Sequence, residues 1–203
     1  MHYWSFDNGQ MEDRISSAHM TQGDLIVFTH DIYGNQNSAL ALNGGWIQVP
    51  CGIYFNAAEF TISAWILPKD VGYYARLIDF GNGPDNDNII LSISYKEFIQ
   101  PTLQIFSGSN YLVRATSPTP LVLDKWQFLA ATFNGTNSRI YIDGILTVDW
   151  YRNYTLPIVE RTQCFIGKSN WDNDDFSYSY IDDLRIHNKA LNEAEIDQLM
   201  KNE

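Results

Sequence analysis

Apolar and polar residues alternate along most of this chain with a period of two. Phe60-Thr61-Ile62-Ser63-Ala64-Trp65-Ile66 puts Phe60, Ile62, Ala64 and Ile66 on one face and Thr61, Ser63 and Trp65 on the other, as in a strand with one face in a core. Similar short runs at 39–42, 46–49, 75–80, 89–94, 102–106 and 111–115 predict further strands. They continue at 126–133, 138–142, 145–150, 163–167 and 178–187, separated by turn-forming clusters, the spacing of an all-β sandwich. Asp143-Gly144, between Ile140-Tyr141-Ile142 and Ile145-Leu146-Thr147-Val148, predicts a hairpin, because this pair accepts the positive φ angles of a type I′ turn. Asn134-Gly135-Thr136-Asn137 marks the preceding turn, so 126–150 reads as a three-stranded meander. The one convincing helix is C-terminal. Asn192 can cap Glu195 in a capping box, with Ile196, Leu199 and Met200 on one side as a short lid on the sandwich. No internal repeat or linker-like run divides residues 1–203, so a single domain is expected.

Composition narrows the partners. At 203 residues and 45% hydrophobic the chain can bury a sizeable core, which excludes a disordered or collagen-like protein. No apolar stretch is long enough to cross a bilayer, so direct membrane insertion is not expected. Thirteen basic against 24 acidic residues give a net charge of −11, which works against nucleic acid or an anionic membrane as partner. The opening Met1-His2-Tyr3-Trp4-Ser5 has neither the basic nor the apolar region of a signal peptide. Cys51 and Cys164, the only cysteines, lack the close spacing of a zinc or redox site; they read equally as one bridge between layers or as two buried thiols. Asn134-Gly135-Thr136 and Asn153-Tyr154-Thr155 fit N-glycosylation acceptors. Together these features favour an extracellular or cell-surface setting.

Several strings in order carry a resemblance. Phe60-Thr61-Ile62-Ser63-Ala64-Trp65-Ile66 is followed by Trp126-Gln127-Phe128-Leu129-Ala130 and Ile140-Tyr141-Ile142-Asp143-Gly144. Phe165-Ile166-Gly167-Lys168-Ser169 and Ile181-Asp182-Asp183-Leu184-Arg185-Ile186-His187-Asn188-Lys189-Ala190-Leu191 complete the set. The chain resembles the laminin G-like, or concanavalin A-like, jelly-roll superfamily over nearly its whole length. That resemblance implies two antiparallel sheets with loops clustered at the rims, a frame shared by lectins, adhesion modules, pentraxins and glycosidases.

The resemblance also implies a structural calcium. Period two places Asp182 on one face with Tyr180, Leu184 and Ile186, read as the core face, where a carboxylate is costly unless paired or bound to a cation. By likeness to relatives, Asp182 would hold Ca2+ with Asp7 of Tyr3-Trp4-Ser5-Phe6-Asp7 and with Asn43 or Gly44. The alternative is an Asp182 that accepts backbone N–H groups or pairs with an arginine. Asp85-Asn86-Asp87-Asn88 begins like an EF-hand loop, but Ile89 and Ile90 stand where a ligand and a glycine are required.

Loop chemistry points to sugar. Planar amides and carboxylates bond paired hydroxyls, and an aromatic ring stacks on the C–H face. Trp171, Asp172 and Asn173 offer these groups in one loop, and Asp85, Asp87 and Asn88 in another. The Glu-x-Asp-x-x-Glu pattern of the superfamily's hydrolases is missing. No Gly-x-Ser-x-Gly elbow occurs, and no histidine stands near a nucleophile in a recognisable motif. The chain is therefore expected to be a non-catalytic recognition module with a glycan ligand. A protein–protein adhesion module or spacer, with a cell-surface protein as partner, is the alternative. A cryptic glycosidase or lyase is the third reading.

Overall fold

The computed structural model describes residues 1–56 and 58–201. The chain begins with β1 (His2–Trp4), β2 (Gln22–Thr29), the long β3 (Ala39–Val49) and β4 (Phe60–Pro68). A first meander follows: β5 (Arg76–Gly81), β6 (Ile89–Ser92), β7 (Thr102–Ser107) and β8 (Asn110–Thr116). A second comprises β9 (Gln127–Phe133), β10 (Asn137–Ile142) and β11 (Ile145–Tyr151). The chain closes with β12 (Gln163–Ile166), β13 (Ser177–His187) and the helix α1 (Glu193–Lys201).

The strands pair antiparallel in the order β11-β10-β9-β4-β13-β3-β12-β5-β6-β7-β8, with β1 added to β13 and β2 to β3. This ladder folds over so that β7 and β8 come against β10 and β11. Phe60, Ile62 and Ile140 from one layer and Leu103, Ile105 and Val113 from the other share one buried apolar cluster. Removing that surface from water is the main force holding the layers together. The result is the all-β, two-layer sandwich that the alternation predicts, in the jelly-roll form that the resemblance implies.

β4 follows its pattern: Phe60, Ile62, Ala64 and Ile66 enter the main cluster, while Trp65 faces the other way against Phe128. α1 covers that outer patch with the fully buried Ile196. The capping box forms, with the Glu195 N–H donating to Asn192 Oδ1 at 3.0 Å and the Asn192 N–H donating to Glu195 Oε2 at 2.9 Å. Asn192→Ala is expected to lower the unfolding free energy by about 1 kcal/mol in urea denaturation. An unchanged midpoint would show that packing alone holds the helix. The Asp143-Gly144 hairpin has the expected positive φ angles, 51° and 76°.

The structure departs from the pattern in three places. The runs 39–42 and 46–49 are one strand, because Gly44, at φ 75°, bulges between the pairs Asn43–Tyr178 and Gly45–Ser177. β2 carries little alternation because it pairs only with β3 and bulges at Leu25, leaving Leu25 and Val27 exposed. The third departure corrects the reading of Asp182. Asp183, at φ 50°, sits in a bulge of β13 that shifts the register, so Ile181, Leu184 and Ile186 all point into the core. Asp182 is left on the opposite face, buried and directly across from Trp65. Both cysteines are free thiols: Cys51 is exposed and Cys164 is buried, and burial pushes the Cys164 thiol pKa up.

Candidate functional site

The outer face of the β5–β8 meander carries an unusual set of side chains. Cross-strand register places Asp79, Ile90, Gln104 and Arg114 in one row and Arg76, Ser92, Thr102 and Thr116 in the next. Directly paired residues in such rows point to the same side of the sheet. Their neighbours Leu77, Leu91, Leu103 and Ala115 face the core.

Arg76 is the floor of this face and is only 3% exposed. Its Nη1 donates to Ser92 Oγ at 2.6 Å and to Gln104 Oε1 at 3.3 Å, and its Nη2 donates to Asp174 Oδ2 at 2.6 Å. Gln104 Nε2 in turn donates to the Tyr111 hydroxyl at 3.0 Å. The Arg76 Nε is buried without a hydrogen-bond partner.

A second knot holds the loop between β12 and β13 over this floor. Asp79 is fully buried; its Oδ2 accepts the Asn170 N–H at 2.9 Å, and its Oδ1 accepts Asn170 Nδ2 at 2.9 Å and Asn88 Nδ2 at 2.8 Å. Burial pushes the Asp79 pKa up, opposed by Arg76 and by the amides of Asn170 and Asn88. A side chain at Gly81 would collide with the Asn88 amide, so the close approach needs glycine. Ser169 Oγ donates to Asp174 Oδ2 at 2.6 Å and accepts the Trp171 N–H at 3.1 Å. These bonds tie down the segment on either side of Trp171 and present its ring at a fixed place. Its ring lies 5.7 Å from that of Phe106 and 5.8 Å from the Arg76 guanidinium.

These groups enclose an open pocket of about 350 Å³. Trp171, Phe106 and Tyr111 form an aromatic wall, with Phe106 and Tyr111 stacked at 4.7 Å and 23°. Tyr74 and Tyr95 stand across from it, edge to face at 5.2 Å. Burial and the neighbouring Tyr95 raise the Tyr74 phenol to about 12, so its hydroxyl remains a donor at neutral pH. Arg114, Ser109, Asp85 and Asp174 supply polar groups around the rim.

Of the six loop residues expected to bind ligand, Trp171 and Asp85 meet in this pocket. Asp172 and Asn173 are exposed outside its lining. Asp87 accepts the Gly108 N–H at 2.6 Å, and Asn88 is fully buried on Asp79, so both shape the loops. Sequence reasoning missed Arg76, Gln104, Tyr111 and Arg114, whose only local sign is polarity at outward strand positions.

Among the residues assigned to calcium, Asn43 and Gly44 lie away from Asp182. Asn43 is paired with Tyr178, four residues along β13 from Asp182, a separation of about 13 Å in a strand. No single ion spans that distance at calcium's bond lengths. Asp7 is half-exposed with Arg14 at 3.6 Å, and Asp182 Oδ1 accepts the Asp183 N–H at 2.8 Å. Among the described residues no group of three or more His, Cys, Asp or Glu is placed to hold a metal.

One serine lies beside a histidine and a carboxylate. His2 Nδ1 is 2.7 Å from Asp13 Oδ2 and 3.1 Å from Ser16 Oγ. Ser16 Oγ also donates to Asp13 at 2.6 Å. A proton relay needs the hydroxyl and the carboxylate on different ring nitrogens, and here both meet the same one. Asp13 also accepts the N–H groups of Tyr3, Ile15 and Ser16, so the cluster pins the N-terminal segment.

Residues 41–197 match the profile of the concanavalin A-like lectin/glucanases superfamily. The chain belongs to this superfamily. No curated protein matches it in sequence. Among solved structures the superfamily fold is shared with domain 4 of AbnA, an extracellular arabinanase of Geobacillus stearothermophilus, in complex with arabinotriose. That match has 21% identity and a TM-score of 0.73, covering 98% of this chain and 97% of that one. A structure of botulinum neurotoxin type C, whose cell entry depends on two ganglioside molecules, matches at 17% identity and TM-score 0.70, covering 99% and 50%. A sialidase of Trypanosoma rangeli in complex with an inhibitor matches at 17% and 0.66, covering 98% and 32%. This chain thus spans half of the toxin chain and about a third of the sialidase. The superfamily frame serves both glycosidase and binding domains, and these likenesses establish the fold alone.

Proposed function

We propose that the chain is a non-catalytic recognition module of an extracellular or cell-surface setting, holding a glycan residue in the pocket of Trp171, Arg76 and Gln104. The observation that carries this reading is the pairing of an aromatic wall with fixed hydrogen-bonding groups around one space. A sugar ring offers an apolar C–H face to Trp171 and Phe106, and hydroxyls to the amide, guanidinium and phenol groups. A pocket of about 350 Å³ has room for a mono- or disaccharide. The arabinotriose on the arabinanase domain and the gangliosides of the toxin support the same direction. Non-catalysis is favoured by Asp174, whose Oδ2 accepts from both Arg76 and Ser169 instead of standing free as acid or nucleophile.

The test is a glycan array with the wild type and Trp171→Ala. Selective binding by the wild type is expected, at least about tenfold weaker in the variant, the scale of losing one aromatic anchor. A blank array combined with capture of a protein partner would favour an adhesion module instead.

A further inference from the structure

Beyond the pocket, three cations gather around β8 in a molecule with an excess of acid: Arg114 on β8 itself, Arg152 just after β11, and Lys96 in the turn after β6. β8 is the last strand of the ladder. Arg114 lines not one depression but three that adjoin each other. It is shared by the pocket above, by a hollow of about 420 Å³ reaching Trp150 and Arg152, and by one of about 450 Å³ reaching Lys96 and Phe98. The two flanking hollows are lined by Arg152 and Lys96 together with Arg114, and by no carboxylate. Among the described residues none of these three cations forms an ion pair. Arg114 donates to the Tyr95 hydroxyl at 2.6 Å, Arg152 donates to the Leu112 carbonyl at 2.6 Å, and Lys96 is exposed. Three cations outside any ion pair, drawn from three segments to adjoining hollows, are conspicuous in a chain of net charge −11 with 13 basic residues.

The charge balance differs within the site. In the central pocket Arg76 and Arg114 are matched by Asp174 and Asp85, so the pocket suits an uncharged, hydroxyl-rich residue. Each flanking hollow is a net cationic recess with an aromatic surface, Trp150 on one side and Phe98 on the other. Guanidinium and ammonium groups bind carboxylate or sulfate oxygens by charge-assisted hydrogen bonds, and a recess of one sign raises the local concentration of the opposite one.

Resting on the glycan reading above, we infer that the ligand is an oligosaccharide that runs across Arg114 and carries anionic groups, uronate carboxylates or sulfates, on the residues flanking the one in the pocket. The pocket fixes position, and the cationic hollows select an acidic glycan over a neutral one of the same length.

The test is calorimetric titration of the whole chain with three length-matched probes: oligogalacturonate, sulfated dextran oligosaccharide and unmodified dextran oligosaccharide. At low salt at least one anionic probe is expected to bind at least about tenfold more tightly than the neutral one, the effect of one charge-assisted contact. That preference shrinks as salt rises and disappears in Lys96→Gln/Arg152→Gln with any neutral binding unchanged, while Trp171→Ala weakens all binding at least about tenfold. Whether oligogalacturonate or the sulfated probe binds more tightly identifies the anionic group. Equal binding of neutral and anionic probes, or a preference that survives Lys96→Gln/Arg152→Gln, overturns the inference while the glycan reading stands. Anionic binding untouched by Trp171→Ala also overturns it, since the cations would then act as a simple ion exchanger. If none of the probes, and no glycan on the array, binds, both the inference and the glycan reading fall.

Discussion

Arg76→Met is expected to abolish glycan binding and to lower the unfolding free energy by about 3 kcal/mol, because removing one partner of a buried ion pair leaves the other charge uncompensated. The pair with Asp174 is 2.6 Å long, with side-chain exposures of 4% and 10%. The same guanidinium holds Ser92 and Gln104 and lies over the faces of Tyr74 and Trp171. Its loss therefore frees both the floor and the loop. The double replacement Arg76→Met/Asp174→Leu separates the two effects. It is expected to regain most of the stability, since apolar residues of similar volume replace a buried ion pair at little cost. It is not expected to regain binding. Urea denaturation and calorimetric titration on the three proteins check both outcomes.

Asp79→Leu is expected to destabilise the protein by about 4 kcal/mol, because three donors lose their acceptor in a buried place. Those donors are the Asn170 N–H, the Asn170 amide and the Asn88 amide. The loss is also local. Asn170 adjoins Trp171, so hydrogen exchange at 169–175 is expected to rise well before global unfolding. Asp79→Asn keeps one acceptor oxygen but turns an amide donor toward other donors. About half the penalty, roughly 2 kcal/mol, is expected there. A stability unchanged by Asp79→Leu would mean that the carboxylate does not hold the loop.

The layering was legible because period-two alternation reports directly on which strand face is buried. Phe60, Ile62, Ala64 and Ile66 enter the core as read, and Trp65 leaves it. The alternation fails where a bulge inserts a residue, as at Leu25 and Asp183, since one added position exchanges the two faces. Strict alternation therefore places Asp182 on the core face with Leu184, and the bulge at Asp183 moves it to the other. Trp171 and Asp85 could be read from their loops, where an aromatic among polar residues has no core to enter. Arg76, Gln104 and Arg114 could not. Outward polar residues on strands look like an ordinary solvated face, and only the pairing of β5 with β6, β6 with β7 and β7 with β8 sets them side by side. Asn88 shows the converse: an amide in a turn-rich loop reads as available, yet it is wholly consumed by Asp79.

The most direct test of the account is a crystal structure of the chain soaked with the tightest-binding oligosaccharide from the array. A sugar ring packed on Trp171, with hydroxyls bonded to Gln104 and the Arg76 guanidinium, is the predicted result. A sugar lodged elsewhere, such as on Asp172 and Asn173 outside the pocket, with the Trp171 wall left bare, would contradict it.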